Sequence, residues 1–131
     1  VRETRIGLVA DVGTLQRLPN ILNAGHVAEL AYTGKDIDAQ RAEKIGLVND
    51  LYSSAETAME AGLELASQIA ANSPMAVRGT KFILQQSENL STDQSLLLNG
   101  MYTLISSLPS NDLQEGIKAF AERRPANFSG S

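Results

Sequence analysis

The chain has 131 residues, 43% apolar and 20% charged, with a formal net charge of −4, one histidine and no cysteine. That length and balance suit one ordinary domain with a sizeable core and argue against disorder. The missing cysteines exclude disulfides, thiolate catalysis and zinc–thiolate sites, and the single histidine, His26, excludes multi-histidine metal centres.

Arg and Lys are scattered, with one cluster at Arg123-Arg124, so no basic face for nucleic acid is expected. No run approaches the roughly twenty apolar residues of a membrane helix, and the chain reads as soluble. It begins with Val1 rather than Met, which suggests a start inside a larger protein.

In chain order, residues 4–10 mix β-branched and small apolar residues and predict a short buried strand or extended segment. Thr14 to Leu22 predicts a helix on Leu15, Leu18 and Leu22, kinked or shortened by Pro19. Gly25 to Tyr32 predicts a second, closed by Thr33-Gly34. His26 falls at its start and suits a surface or capping role. Asp38 is a good N-cap for a third helix, Ala39 to Ile45, stopped by Gly46. Asp36 fits a turn, and Asn49 to Tyr52 predicts a short strand.

Beyond Tyr52 the pattern becomes that of longer amphipathic helices. Ser54 is positioned to cap Ala55 to Asn72, and Ser73-Pro74 to open Met75 to about Gln86, with Lys81 a structural helix residue. Ser91 caps a stretch to about Leu108 that is apolar over more than one face, as expected when a partner covers the second side. Pro109 and Ser110 lead into a last helix, Asn111 to Arg123, striped by Leu113, Ile117 and Phe120. The tail Pro125 to Ser131 is small and polar and is expected to be loose. No phosphate loop or dinucleotide fingerprint occurs, since Gly7 and Gly13 lack the spacing.

Two carboxylates, Glu3 and Asp11, bracket the apolar run Ile6 to Ala10. Acids in apolar surroundings hold their protons differently from acids in water, which suits taking a proton at one carbon and returning it at another. The plain alternative is that Asp11 caps the following helix and Glu3 is a solvated charge at a strand end.

Five segments in order resemble the C-terminal half of the crotonase (enoyl-CoA hydratase/isomerase) superfamily. They are Glu3 with Gly7-Leu8; Asp11 through Gly13-Thr14-Leu15-Gln16-Arg17-Leu18-Pro19; Leu30-Ala31-Tyr32-Thr33-Gly34 with Ala42, Gly46, Leu47 and Val48; Ser73-Pro74, Ala76 and Lys81; and Glu115-Gly116, Ala119-Phe120 and Arg123 to Phe128. The stretch Ala10 to Pro19 is most similar to the Δ3,5-Δ2,4-dienoyl-CoA isomerases of fatty-acid β-oxidation, where the hydratases carry a small residue in place of Asp11.

The resemblance implies an α/β crotonase-like fold. Residues 1–52 would be the last part of its ββα spiral, and 53–131 a helical oligomerisation region, leaving this chain mostly α. It implies an acyl-CoA isomerase with Glu3 and Asp11 as proton-transfer acids, and with Phe120 and Arg123 contacting CoA. Core packing for Phe120 and a solvated face for Arg123 are the plain readings. No metal and no cofactor is implied, the CoA thioester being the substrate.

The expected partners are the acyl-CoA, other copies in a trimer or hexamer, and an upstream half of the same protein, with no nucleic acid. The alternatives are an enoyl-CoA hydratase and a helical assembly fragment that is inactive alone. A bacterial-type cytoplasmic location is expected, with an organelle matrix as the alternative; no Ser-Lys-Leu ending supports a peroxisomal address.

Overall fold

Short polar side chains set the helix starts along this chain. In a computed structural model of the protein, which describes residues 1–131, there are seven α-helices. They are α1 (Thr14–Arg17), α2 (Ala24–Thr33), α3 (Ala39–Lys44), α4 (Ala55–Ala70), α5 (Pro74–Ser87), α6 (Thr92–Tyr102) and α7 (Asn111–Glu122). Asn23 accepts from the His26 N–H at the head of α2, and Asp38 from the Arg41 N–H at the head of α3. Ser54 accepts from the Thr57 N–H ahead of α4, Ser73 from that of Ala76, and Ser110 from that of Leu113. At α6 the capping is reciprocal, Ser91 accepting from the Gln94 N–H and the Gln94 side chain from the Ser91 N–H. Each cap answers one of the N–H groups that a helix start leaves without a partner.

Every regular element is a helix or helical turn. The strand expected at 4–10 does not form: Glu3–Ile6 is a 3₁₀ turn closed by Gly7 at φ +79°, and the residues after it are irregular. Nor does one form at 49–52. In the first of these the backbone groups bond locally instead, the Leu8 N–H to the Glu3 carbonyl at 2.9 Å and the Gly7 N–H to that of Thr4 at 3.3 Å. The predicted helix 14–22 is divided into α1 and a 3₁₀ turn, Leu18–Asn20, with Pro19 at its start. The helix predicted to Leu108 holds α geometry to Tyr102 and then widens into a π turn, Thr103–Ser107, where the Leu108 N–H reaches the Thr103 carbonyl at 2.9 Å.

The chain divides into two units, Val1–Met59 and Glu60–Ser131. The first has a small core of Leu18, Leu22 and Leu30, against which Val27, Ile37, Ile45 and Leu47 pack. In the second, α5 and α6 meet through a Ser87–Ser95 hydroxyl hydrogen bond and a tilted ring pair, Phe82 and Tyr102, with centroids 5.7 Å apart.

The tail is not loose. The Asp112 carboxylate accepts from the N–H groups of Ser129 (2.8 Å) and Gly130 (3.0 Å), and the Ser131 carbonyl accepts from the Asn111 N–H at 2.8 Å. A polar segment that would move freely in isolation is fixed by carboxylate and backbone partners at the head of α7.

Candidate active site

Glu3 opens the 3₁₀ turn, half-buried, with its Oε2 accepting the Arg2 N–H at 2.8 Å. Two side chains moor this turn. Thr4 donates its hydroxyl to the Ala31 carbonyl at 3.0 Å, and the Arg2 guanidinium forms a fork with Asp36. That guanidinium holds the Asp36 carboxyl below the usual carboxylate range. Asp36 thus has a partner 34 residues back, rather than the turn role its local sequence suggests.

Glu3 lines a cavity of about 180 Å³ with Val9, Ala10, Leu15, Ala31 and Tyr32 among its walls. Apart from Glu3 and Thr4 the lining is apolar or aromatic, so the carboxylate stands at the edge of an oily space. Asp11 directly follows Ala10 but is exposed and is not part of that lining. It does not cap α1 either. The N-cap position belongs to Gly13 at φ +89°, and no side chain bonds there. The structure therefore joins Glu3 to an apolar pocket and leaves the Asp11 carboxylate in solvent, without the capping partner that would give it a purely structural role.

His26 is half-buried at the start of α2, its Nδ1 3.5 Å from the Arg41 guanidinium and 3.7 Å from the Glu29 carboxylate. Lys35 and Arg41 pair with that carboxylate and lower its pKa. Lys81 is exposed on α5.

In the second unit Phe120 is 88% exposed on α7. It borders an apolar cavity of about 410 Å³ shared with Met75, Leu113, Ile117 and Phe128. Core packing does not explain so exposed a ring. Arg123 ends the same helix, exposed, at φ +53° and ψ +42°.

Two acids that were not among the expected site residues organise this end of the chain. Asp112, 2% exposed, also accepts the Ser73 hydroxyl at 2.6 Å, and that bond, with the tail N–H groups, lowers its pKa. Glu115 takes the Arg124 fork at 2.6 and 3.0 Å and the Asn127 N–H at 2.9 Å; these hold its carboxyl at about 2, the Arg124 bonds first. Its partners lie nine and twelve residues away, outside any helical repeat, so no local pattern marks it.

A family model described as enoyl-CoA hydratase/isomerase matches residues 1–131. The chain belongs to that family. It is 41% identical over 128 residues to the mitochondrial Δ3,5-Δ2,4-dienoyl-CoA isomerase of Dictyostelium discoideum, covering 98% of this chain and 43% of that protein. It is 38% identical over 125 residues to the human mitochondrial Δ3,5-Δ2,4-dienoyl-CoA isomerase, covering 95% of this chain and 38% of that one. Among solved structures, an enoyl-CoA hydratase of Mycobacterium tuberculosis H37Rv superposes with a TM-score of 0.92 at 40% identity, over 100% of this chain and 51% of that one. This family member therefore spans about half, or less, of the length of the relatives it matches. Its mostly helical fold agrees with the share of the family fold that it covers. No helix is long and apolar enough to cross a membrane.

Proposed function

We propose that this chain is the C-terminal half of an acyl-CoA isomerase that converts 3,5-dienoyl-CoA to 2,4-dienoyl-CoA in fatty-acid β-oxidation. The observation that carries the reading is Glu3, a carboxylate at the edge of an apolar cavity, with a second acid, Asp11, exposed in the next position after Ala10 of that lining. The similarity to the two dienoyl-CoA isomerases supports it. Shifting both double bonds toward the thioester requires loss of a proton at C2 and gain of one at C6. These carbons are too far apart for one carboxylate to serve easily, so two acids divide the work. Glu3 takes the C2 proton, and Asp11 supplies the proton at C6. The dienolate oxygen between these steps needs N–H donors, which the upstream half provides.

In this reading residues 1–52 close the ββα spiral, and 53–131 form the oligomerisation region of a trimer or hexamer. The exposed apolar residues Leu96, Leu97, Leu104 and Ile105 support that role. Phe120 and Arg123 contact CoA, Phe120 with an exposed ring and Arg123 with an exposed guanidinium. No cofactor takes part, because both steps are proton transfers on the thioester substrate.

The test is to give the intact protein a 3,5-dienoyl-CoA and follow the change of conjugation in the ultraviolet. Efficient hydration of a 2-enoyl-CoA instead would favour the second reading, an enoyl-CoA hydratase, which the likeness to the mycobacterial hydratase supports. Unchanged isomerisation after Asp11→Asn would remove Asp11 from the mechanism. A third reading, an assembly module with no catalysis of its own, applies to the isolated chain. A well-behaved monomer in sedimentation would count against it.

A further inference from the structure

Arg123 is the one non-glycine residue of the chain with a positive φ. The α7 terminus closes in the pattern that ordinarily has glycine at this point: the Arg123 N–H bonds the Phe120 carbonyl at 3.2 Å and the Arg124 N–H bonds that of Ala119 at 3.1 Å. A residue with a Cβ is disfavoured there, so something must hold it. The adjacent residue supplies the hold. Arg124 spends its guanidinium on four bonds: two to Glu115, one from Nε to Glu122 at 2.6 Å and one to the Pro125 carbonyl at 3.0 Å. Glu115 also pins the chain on the far side through the Asn127 N–H. The residues before and after Arg123 are thereby clamped to one another and to the body of α7. Arg123 itself has no ion pair, and its side chain is left for solvent or an anion.

We infer that Glu115 and Arg124 are positioning residues that hold Arg123 in its left-handed conformation and so aim its guanidinium at a phosphate of CoA. This rests on the proposed reading of Arg123 as a CoA contact. Of the two adjacent arginines, one is consumed as a clamp and the other is presented. That division of labour is decided by which of them reaches Glu115.

The experiment uses the intact protein and two substrates carrying the same acyl group, one on CoA and one on pantetheine, which lacks the CoA phosphates. Arg123→Ala is the reference variant. Glu115→Gln keeps the side-chain size, and Arg124→Lys keeps the charge while removing the fork. Both are expected to raise KM for the CoA substrate by roughly three- to tenfold, the effect of weakening one charge-assisted contact. In both, kcat and the KM for the pantetheine substrate should stay near wild type, and the backbone chemical shifts of Arg123 should leave the positive-φ range. If Arg123→Ala raises KM for the CoA substrate while the other two variants do not, the positioning role is overturned and the CoA contact stands. If Arg123→Ala itself leaves that KM unchanged, the contact fails and the positioning role falls with it. A parallel loss on both substrates would show general destabilisation and would also overturn the inference.

Discussion

The ring of Tyr102 lies so close to the backbone of Gly79 that a Cβ at position 79 would sit 2.5 Å from its Cε1 and 3.1 Å from its hydroxyl oxygen. Helix α5 can meet α6 at this distance only because residue 79 has no side chain. The same ring packs against Phe82, one turn along α5. Gly79→Ala should therefore destabilise the protein by about 1–3 kcal/mol through overpacking, despite the better helix propensity of Ala. Thermal unfolding measures it, and an unchanged or raised Tm would show that Tyr102 moves aside freely.

In the first unit the core rests on few side chains. Leu22 is 4% exposed and packs with Leu18 and Leu30. Leu22→Ala is expected to cost about 2–5 kcal/mol, the range for a buried leucine whose cavity cannot collapse fully. Chemical denaturation should show a lower midpoint. A loss under 1 kcal/mol, the size of a surface effect, would mean that this cluster is not the core.

Asp112 holds the tail at the head of α7. Asp112→Asn keeps the shape but gives up the charge that strengthens its bonds to Ser73, Ser129 and Gly130. Amide exchange at Ser129 and Gly130 should accelerate toward the rate of an open chain, while the amides inside α5 stay protected. Unchanged protection at both tail amides would show that the Ser131 carbonyl suffices to anchor the segment.

Glu115 gives a pH dependence of known sign. Its carboxyl is held at about 2 in the fold against an ordinary 4.5, chiefly by the Arg124 fork, then by the Asn127 N–H, with Lys118 adding attraction. Its contribution to stability is fully present above about pH 4.5 and is lost as the pH falls toward 2. The lowered pKa of Asp112 acts in the same direction. Tm measured between pH 6 and 2 should fall across that window, and Glu115→Gln should flatten part of the fall. A wild-type Tm that is flat over this range would contradict the assignment.

Glu3 borders an apolar cavity, and its role as base is testable at constant geometry. Glu3→Gln in the intact protein should lower kcat for dienoyl isomerisation by about 10²–10⁴-fold, the usual contribution of a positioned acid or base, with little change in KM. Turnover within a factor of two of wild type would exclude Glu3 as the base.

The amino-acid sequence by itself determined where most helices begin, because a cap is a local device. Asn23, Asp38, Ser54, Ser73, Ser91 and Ser110 each bond an N–H three residues ahead, and such bonds need nothing from the rest of the chain. The sequence also carried the family, through five segments in order, and the breadth of the apolar surface on 92–108. Tertiary structure alone decided the rest. An apolar run such as 4–10 becomes a strand only where its backbone pairs with another segment, and here the Leu8 and Gly7 N–H groups turn back to the Glu3 and Thr4 carbonyls, leaving a 3₁₀ turn and an irregular segment. The tail gained its order from Asp112 and Glu115, twelve to eighteen residues back, across a distance that no periodicity encodes. The two candidate acids divide in the same way. Their identity was legible in the chain, while only the folded backbone set Glu3 against an apolar cavity and left Asp11 exposed, with the head of α1 closed by Gly13 instead.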